Sequence, residues 1–119
     1  MLEIDANDVA ETISGLFQDG CYRLSDDVIR ALGRAEEREE SLPARRVLAK
    51  LKENAETAAR DEVPLCQDTG MAVVFLELGQ DAHIVGGDLY GAVQEGTRRA
   101  YARGYLRKSV VDRPFSARI

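Results

Sequence analysis

The sequence predicts a mixed α/β chain, with helices first, then a small sheet and a long helix, as an incomplete portion of a larger domain. Three observations predict this. Apolar residues recur at helical spacing through the first half. Pro64 is followed by a short branched and aromatic run, and Gly86-Gly87 then introduces a second long helical pattern. Residues 1–63 are expected to be mainly helical. Residues 64–119 carry the motifs that bear on chemistry.

The first helix is expected from about Asp8 to Phe17, with Val9, Ile13, Leu16 and Phe17 on one face. Asn7 or Asp5 can cap its start, and Gly20 is expected just past its end. Ser25 caps a second helix, with Asp26 and Asp27 favourable at its positive end and Val28, Ile29, Leu32 and Ala35 as its stripe. The acidic run Glu36 to Glu40 reads as a solvated exit. Ser41 opens a third helix with Pro43 in its first turn, where a missing N–H costs little. Val47, Leu48, Leu51 and Ala55 share a face, with Ala58 close by, and the helix fades before Pro64.

After Pro64 the pattern changes. Met71 to Leu78 reads as a buried strand, and His83-Ile84-Val85 as a second short strand for which an antiparallel pairing with the first is one arrangement. Asp88 caps a helix reaching about Leu106, with Leu89, Ala92, Val93, Ala100 and Tyr101 inward. Gly96 inside that helix costs about 1 kcal/mol relative to Ala, which points to close packing. Gly104 loosens the helix near its end. The tail from Val110 to Ile119 has no terminating signal and reads as a chain cut in mid-domain.

Composition narrows the function. A chain of 119 residues with 45% hydrophobic content can build one core. A net charge of −5 and a pI near 4.9 argue against nonspecific nucleic-acid binding, which needs a basic face. No apolar stretch approaches the roughly 18 residues that span a bilayer. The start, Met1-Leu2-Glu3-Ile4-Asp5, has acids where a secretory signal has bases, so a cytoplasmic location is expected. The two cysteines, Cys21 and Cys66, form neither a disulfide framework nor a C-x-x-C unit.

The most informative stretch is Leu65-Cys66-Gln67-Asp68-Thr69-Gly70. An isolated cysteine before a strand is most often a buried structural one. Here a thiol, an amide and a carboxylate stand together, and a core rejects such polar neighbours unless they are paired. Thiolate is a soft ligand suited to iron–sulfur clusters. Alone, Asp68 reads as a turn residue accepting local N–H bonds, and Gly70 as a conformational one. Gly86-Gly87 at a helix start can hold an anion, although the turn reading is favoured. Arg98, Arg99 and Arg103 read as solvated bases near a helix end. His83 reads as a strand residue, and Cys21 as structural.

Three elements in this order, Cys66-Gln67-Asp68-Thr69-Gly70, Ile84-Val85-Gly86-Gly87-Asp88-Leu89 and Leu106-Arg107-Lys108-Ser109, resemble the amino-terminal part of class I iron–sulfur-dependent hydro-lyase alpha subunits. That family includes fumarase and L-tartrate dehydratase. The resemblance covers about Pro64 to Val111. It implies that Cys66 is one of three thiolates holding a 4Fe–4S cluster, the other two lying outside this chain. It implies that Gln67 and Asp68 face the substrate, with Asp68 also a candidate for proton movement. Arg107 then clamps a substrate carboxylate with its planar fork of donors. It also implies a beta subunit or domain, a dimeric assembly and a small dicarboxylate substrate, fumarate/malate or tartrate. The family's Asp-Pro step is interrupted here as Asp112-Arg113-Pro114. Because no cysteine follows Cys66, this stretch alone is expected to be inactive. The rival reading is a non-catalytic, truncated or degenerate interaction module that keeps the fold. A thiol-nucleophile enzyme ranks last, since no base is paired with Cys66 in the sequence.

Overall fold

The chain runs through six elements: β1 (Leu2–Asp5), α1 (Ala6–Tyr22), α2 (Asp26–Arg38), α3 (Leu42–Asp61), β2 (Ala82–Val85) and α4 (Leu89–Arg103). The computed structural model describes residues 1–68 and 70–115. Thr69 of the motif and the end of the tail, 116–119, lie outside the described residues. Two units partition the chain: residues 1–18 with 68–119, and residues 19–67.

In the first unit β1 and β2 pair in parallel, from Leu2 opposite Ala82 to Asp5 opposite Val85. This corrects two expectations. The partner of β2 is the chain's own start, and Met71 to Leu78 forms no strand. Four residues at the start are too few to show a period, so β1 is invisible to a pattern argument. Residues 71–79 are exposed throughout, Phe75 at 95%. Branched and aromatic residues favour strands only where a pleated, half-buried surface receives them. No strand among the described residues offers that surface to Met71–Leu78.

The Asp5 carboxylate accepts the Asn7 N–H at 2.7 Å and so caps α1. Ala6, Ala10, Ile13 and Ser14 bury one side of this helix. On α4 the buried residues are Ala92, Gly96 and Ala100; of the inward face expected from the sequence, Ala92 and Ala100 are buried, while Leu89, Val93 and Tyr101 are only partly covered. Close packing at Gly96 is also as expected. A Cβ there would lie 2.5 Å from the Ala10 carbonyl oxygen and 2.9 Å from the Ile13 Cβ. Asp88 caps α4 through the Gly91 N–H at 3.0 Å. The helix stops at Arg103, short of Leu106, because Gly104 takes the C-cap and Tyr105 turns left-handed at φ 55°.

Ionic braces join the outer faces of α1 and α4. Arg99 bonds Glu11 (2.5 Å), Glu95 (2.7 Å) and Asn7 (2.9 Å), and Arg103 bonds Glu11 at 2.9 Å. Arg99 is therefore a half-buried cross-brace and not a solvated base. Hydrogen bonds from Arg98 and Arg99 hold the Glu95 carboxyl at about 2, below its ordinary 4.5. A depressed carboxylate contributes stability that is present above 4.5 and lost as pH falls toward 2. In acid titration followed by circular dichroism, Glu95→Gln should flatten the stability loss of the wild type between those limits.

The second unit is helical. The last turn of α1 extends past Gly20 to Tyr22, whose burial outweighs the helix cost of a glycine, about 1 kcal/mol. Ser25 and Ser41 stand at the N-cap positions of α2 and α3 as expected, but neither side chain makes a capping hydrogen bond. On α2 no residue is buried, and Val28 and Ile29 are exposed, so its stripe is only partly covered. The core is Ala55, Ala58 and Leu65, with Leu24 against it. Glu36 of α2 pairs with Lys52 of α3 at 2.8 Å.

Candidate functional site

The Cys66 turn is built from the end of α3. Glu62 adopts a left-handed cap at φ 52° and donates its N–H to the Ala58 carbonyl. Pro64 then prevents further helix. Leu65 turns inward, 6% exposed, and its N–H reaches the Cys21 carbonyl at 2.8 Å. The next N–H, of Cys66, reaches the Asn54 side-chain oxygen at 3.1 Å. Leu65 thus anchors the turn in the helical core, and Cys66 and Gln67 are left exposed. The Cys66 thiol lies 3.3 Å from the Gln67 side-chain oxygen, to which it can donate.

An exposed thiol on an anchored turn, flanked by an amide, has the reach and chemistry of one metal ligand. It fits one corner of a cluster and no more. Among the described residues no group of three histidine, cysteine or acidic side chains is placed to hold a metal ion. Cys21 lies in the last turn of α1, and its carbonyl accepts the Leu65 N–H. His83 lies on β2 with an exposed side chain, a strand residue as expected.

Asp68 and Arg107 belong to the first unit, and the structure brings them together through the backbone. Asp68 Oδ1 accepts the Gly70 N–H at 3.0 Å, and Oδ2 accepts the Arg107 N–H at 3.1 Å. The local turn bond expected of an Asp at this position is present, and a second bond joins it to a residue 39 positions away. Arg107 itself is exposed, and its guanidinium forms no ion pair among the described residues.

Sequence reasoning passed over one position that shapes these turns. Asn54 orients Cys66 from within α3. An Asn inside a helix is a faint signal, because such side chains prefer local backbone partners. Gly70, read from the sequence as conformational, does take a positive φ of 74°, and its contact with the Arg107 segment is legible only in three dimensions. The Gly86-Gly87 corner serves the fold. Gly86 has φ 75°, and a Cβ there would stand 3.0 Å from the Asp5 carboxylate. Asp88 already takes an N–H at that end of α4.

A cavity of about 850 Å³ forms a groove lined by Val74, Leu76, Leu89, Tyr90 and Val93, with Arg98 at its side. Arg98 is paired with Glu95 at 2.7 Å. An apolar groove whose lone lining cation is neutralised suits no dicarboxylate.

Comparison with known proteins agrees with the ordered motifs. The family model described as "Fumarate hydratase (Fumerase)" matches residues 10–119. A protein of Methanocaldococcus jannaschii named "Putative L(+)-tartrate dehydratase subunit alpha" is 32% identical over 106 residues, covering 87% of this chain and 36% of that protein. The chain therefore spans about a third of the length of this curated relative. No helix among the described residues is long and apolar enough to cross a membrane. The match takes in the Cys66 turn, the Gly86-Gly87 corner and the Arg107 segment, and on it the chain belongs to the fumarate hydratase (fumerase) family of hydro-lyases.

Proposed function

We propose that this chain is the amino-terminal part of an iron–sulfur hydro-lyase alpha subunit, acting on a small dicarboxylate such as fumarate/malate or tartrate. The observation that carries the reading is the Cys66 turn: an exposed thiol, anchored by a buried neighbour, beside the Gln67 amide, with Asp68 following in sequence. Cys66 supplies one thiolate of a 4Fe–4S cluster, and the other two come from outside the 119 residues. When bound, that cluster supplies an open iron as Lewis acid toward the substrate hydroxyl. Gln67 donates its amide N–H to a substrate carboxylate. Arg107 clamps a carboxylate with two parallel N–H bonds. Asp68 orients the substrate and takes part in proton movement near the hydroxyl.

A relative named as an alpha subunit supports a beta subunit or domain as partner; a dimeric assembly is part of the same proposal. A reducing, cytoplasmic compartment suits the thiol chemistry. The test is anaerobic reconstitution of the full-length alpha subunit with its beta partner, iron and sulfide, comparing wild type with Cys66→Ser. The variant should lose most of its iron and sulfide, and its turnover of fumarate or tartrate should fall to background. Equal cluster content in the two proteins would refute the ligand assignment.

One observation favours a second reading. Met71 to Leu76 exposes a continuous apolar run, the surface expected of an interaction module without catalysis. That module would bind its partner without metal, and equally well after Cys66→Ser.

A further inference from the structure

Gly70 and the Arg107 segment approach each other more closely than any side chain permits. Gly70 is buried, with φ 74°. A Cβ there would overlap the Arg107 carbonyl oxygen, and would lie 2.9 Å from Ser109 Oγ and 3.0 Å from Ser109 N. A side-chain tip can swing aside, but a backbone oxygen moves only with its segment. Asp68 holds the two backbones together by taking the Gly70 N–H on one oxygen and the Arg107 N–H on the other. On the other side of Arg107, Tyr105 reverses the chain at φ 55° and Leu106 is buried, 4% exposed. The Arg107 backbone is thus fixed by a buried leucine before it and by the Gly70 contact beside it. Its guanidinium is committed to no carboxylate among the described residues.

An arginine with a fixed base and an uncommitted head suits anion capture, because less freedom is lost on binding. We propose that Gly70 is a positioning residue for Arg107: the missing side chain at position 70 lets Asp68 bind the Arg107 backbone and sets where the guanidinium meets a substrate carboxylate. This rests on the reading of Arg107 as the carboxylate clamp. Any side chain at position 70 pushes the 107–109 segment outward, stretches the Arg107 N–H bond to Asp68 and misplaces the clamp.

The test uses the full-length alpha subunit assembled with its beta partner and reconstituted anaerobically, as Gly70→Ala, Arg107→Ala and the double variant. Gly70→Ala should keep wild-type iron and sulfide content, while KM for the dicarboxylate rises between about tenfold and a hundredfold. On the Arg107→Ala background the same change should add less than about twofold, since both variants remove one interaction. Amide exchange in residues 105–109 should quicken in Gly70→Ala. It should also quicken in Asp68→Asn, which carries this arm if Gly70→Ala fails to assemble. Losses that multiply, or unchanged KM and exchange, would overturn the positioning role and leave the clamp standing. If Arg107→Ala leaves KM unchanged, the clamp fails and the positioning role falls with it.

Discussion

Gly96→Leu should abolish the fold of the unit that holds β1, β2 and α4, while leaving α2 and α3 protected. Gly96 sits where α4 meets α1, and even one added carbon would stand 2.5 Å from the Ala10 carbonyl oxygen and 3.0 Å from Ile13 Cγ2. The nearest atom is the Ala10 backbone carbonyl oxygen, which no rotamer change can move aside, and the neighbours Ala10, Ala92 and Ala100 are small and buried. Overpacking a core costs about 1–3 kcal/mol where side chains can shift. Here backbone must move, and the cost approaches the total stability of an ordinary domain, about 5–15 kcal/mol. Amide exchange on the 119-residue chain reads the outcome. Residues 6–18 and 82–103 should lose protection, and residues 26–61 should keep it. Wild-type exchange across α4 would show that the two helices do not meet at this glycine.

Leu65→Ala should have the reciprocal effect. Leu65 fills the core of the helical unit with Ala55, Ala58 and Leu24, and the two alanines are too small to close the space its loss would leave. Truncation of a buried leucine to alanine costs about 2–5 kcal/mol, the upper part applying where a cavity stays open. Residues 26–61 should exchange faster and unfold at lower urea, with residues 82–103 unchanged. The variant also tests how the thiol is held. Without the leucine anchor, the Cys66 N–H should lose its Asn54 partner, and the assembled subunit should retain less iron. A stability change under about 0.5 kcal/mol, the size of an ordinary surface substitution, would contradict the anchoring of the turn.

The helices were legible because their signals are local. Ala55 and Ala58 on α3, and Ala92 and Ala100 on α4, recur at the spacing that places them on one face. Asp88 and Pro43 mark helix starts through chemistry confined to a single turn. Their ends were less legible. Gly20 reads as a stop, yet α1 passes through it because Tyr22 finds a buried place. The sheet was misread for a related reason. Met71–Leu78 has strand composition without a ladder, whereas Leu2–Asp5 has a ladder with hardly any compositional signal. Strand pairing is settled between distant segments, and a single sequence does not state which ones meet.

The candidate site divides in the same way. The order of Cys66-Gln67-Asp68, Gly86-Gly87 and Leu106-Arg107 along the chain carried the resemblance to the family, and that resemblance implied a thiolate ligand at Cys66, an amide donor at Gln67 and a carboxylate clamp at Arg107. Tertiary structure decided that Cys66 is exposed on a turn anchored by Leu65 and Asn54. It also decided that Asp68 reaches the Arg107 backbone and that Gly70 leaves room for that approach. Residue identity fixes which bonds a side chain can form. Which of them it forms depends on what the fold brings within about 3 Å, the reach of a hydrogen bond.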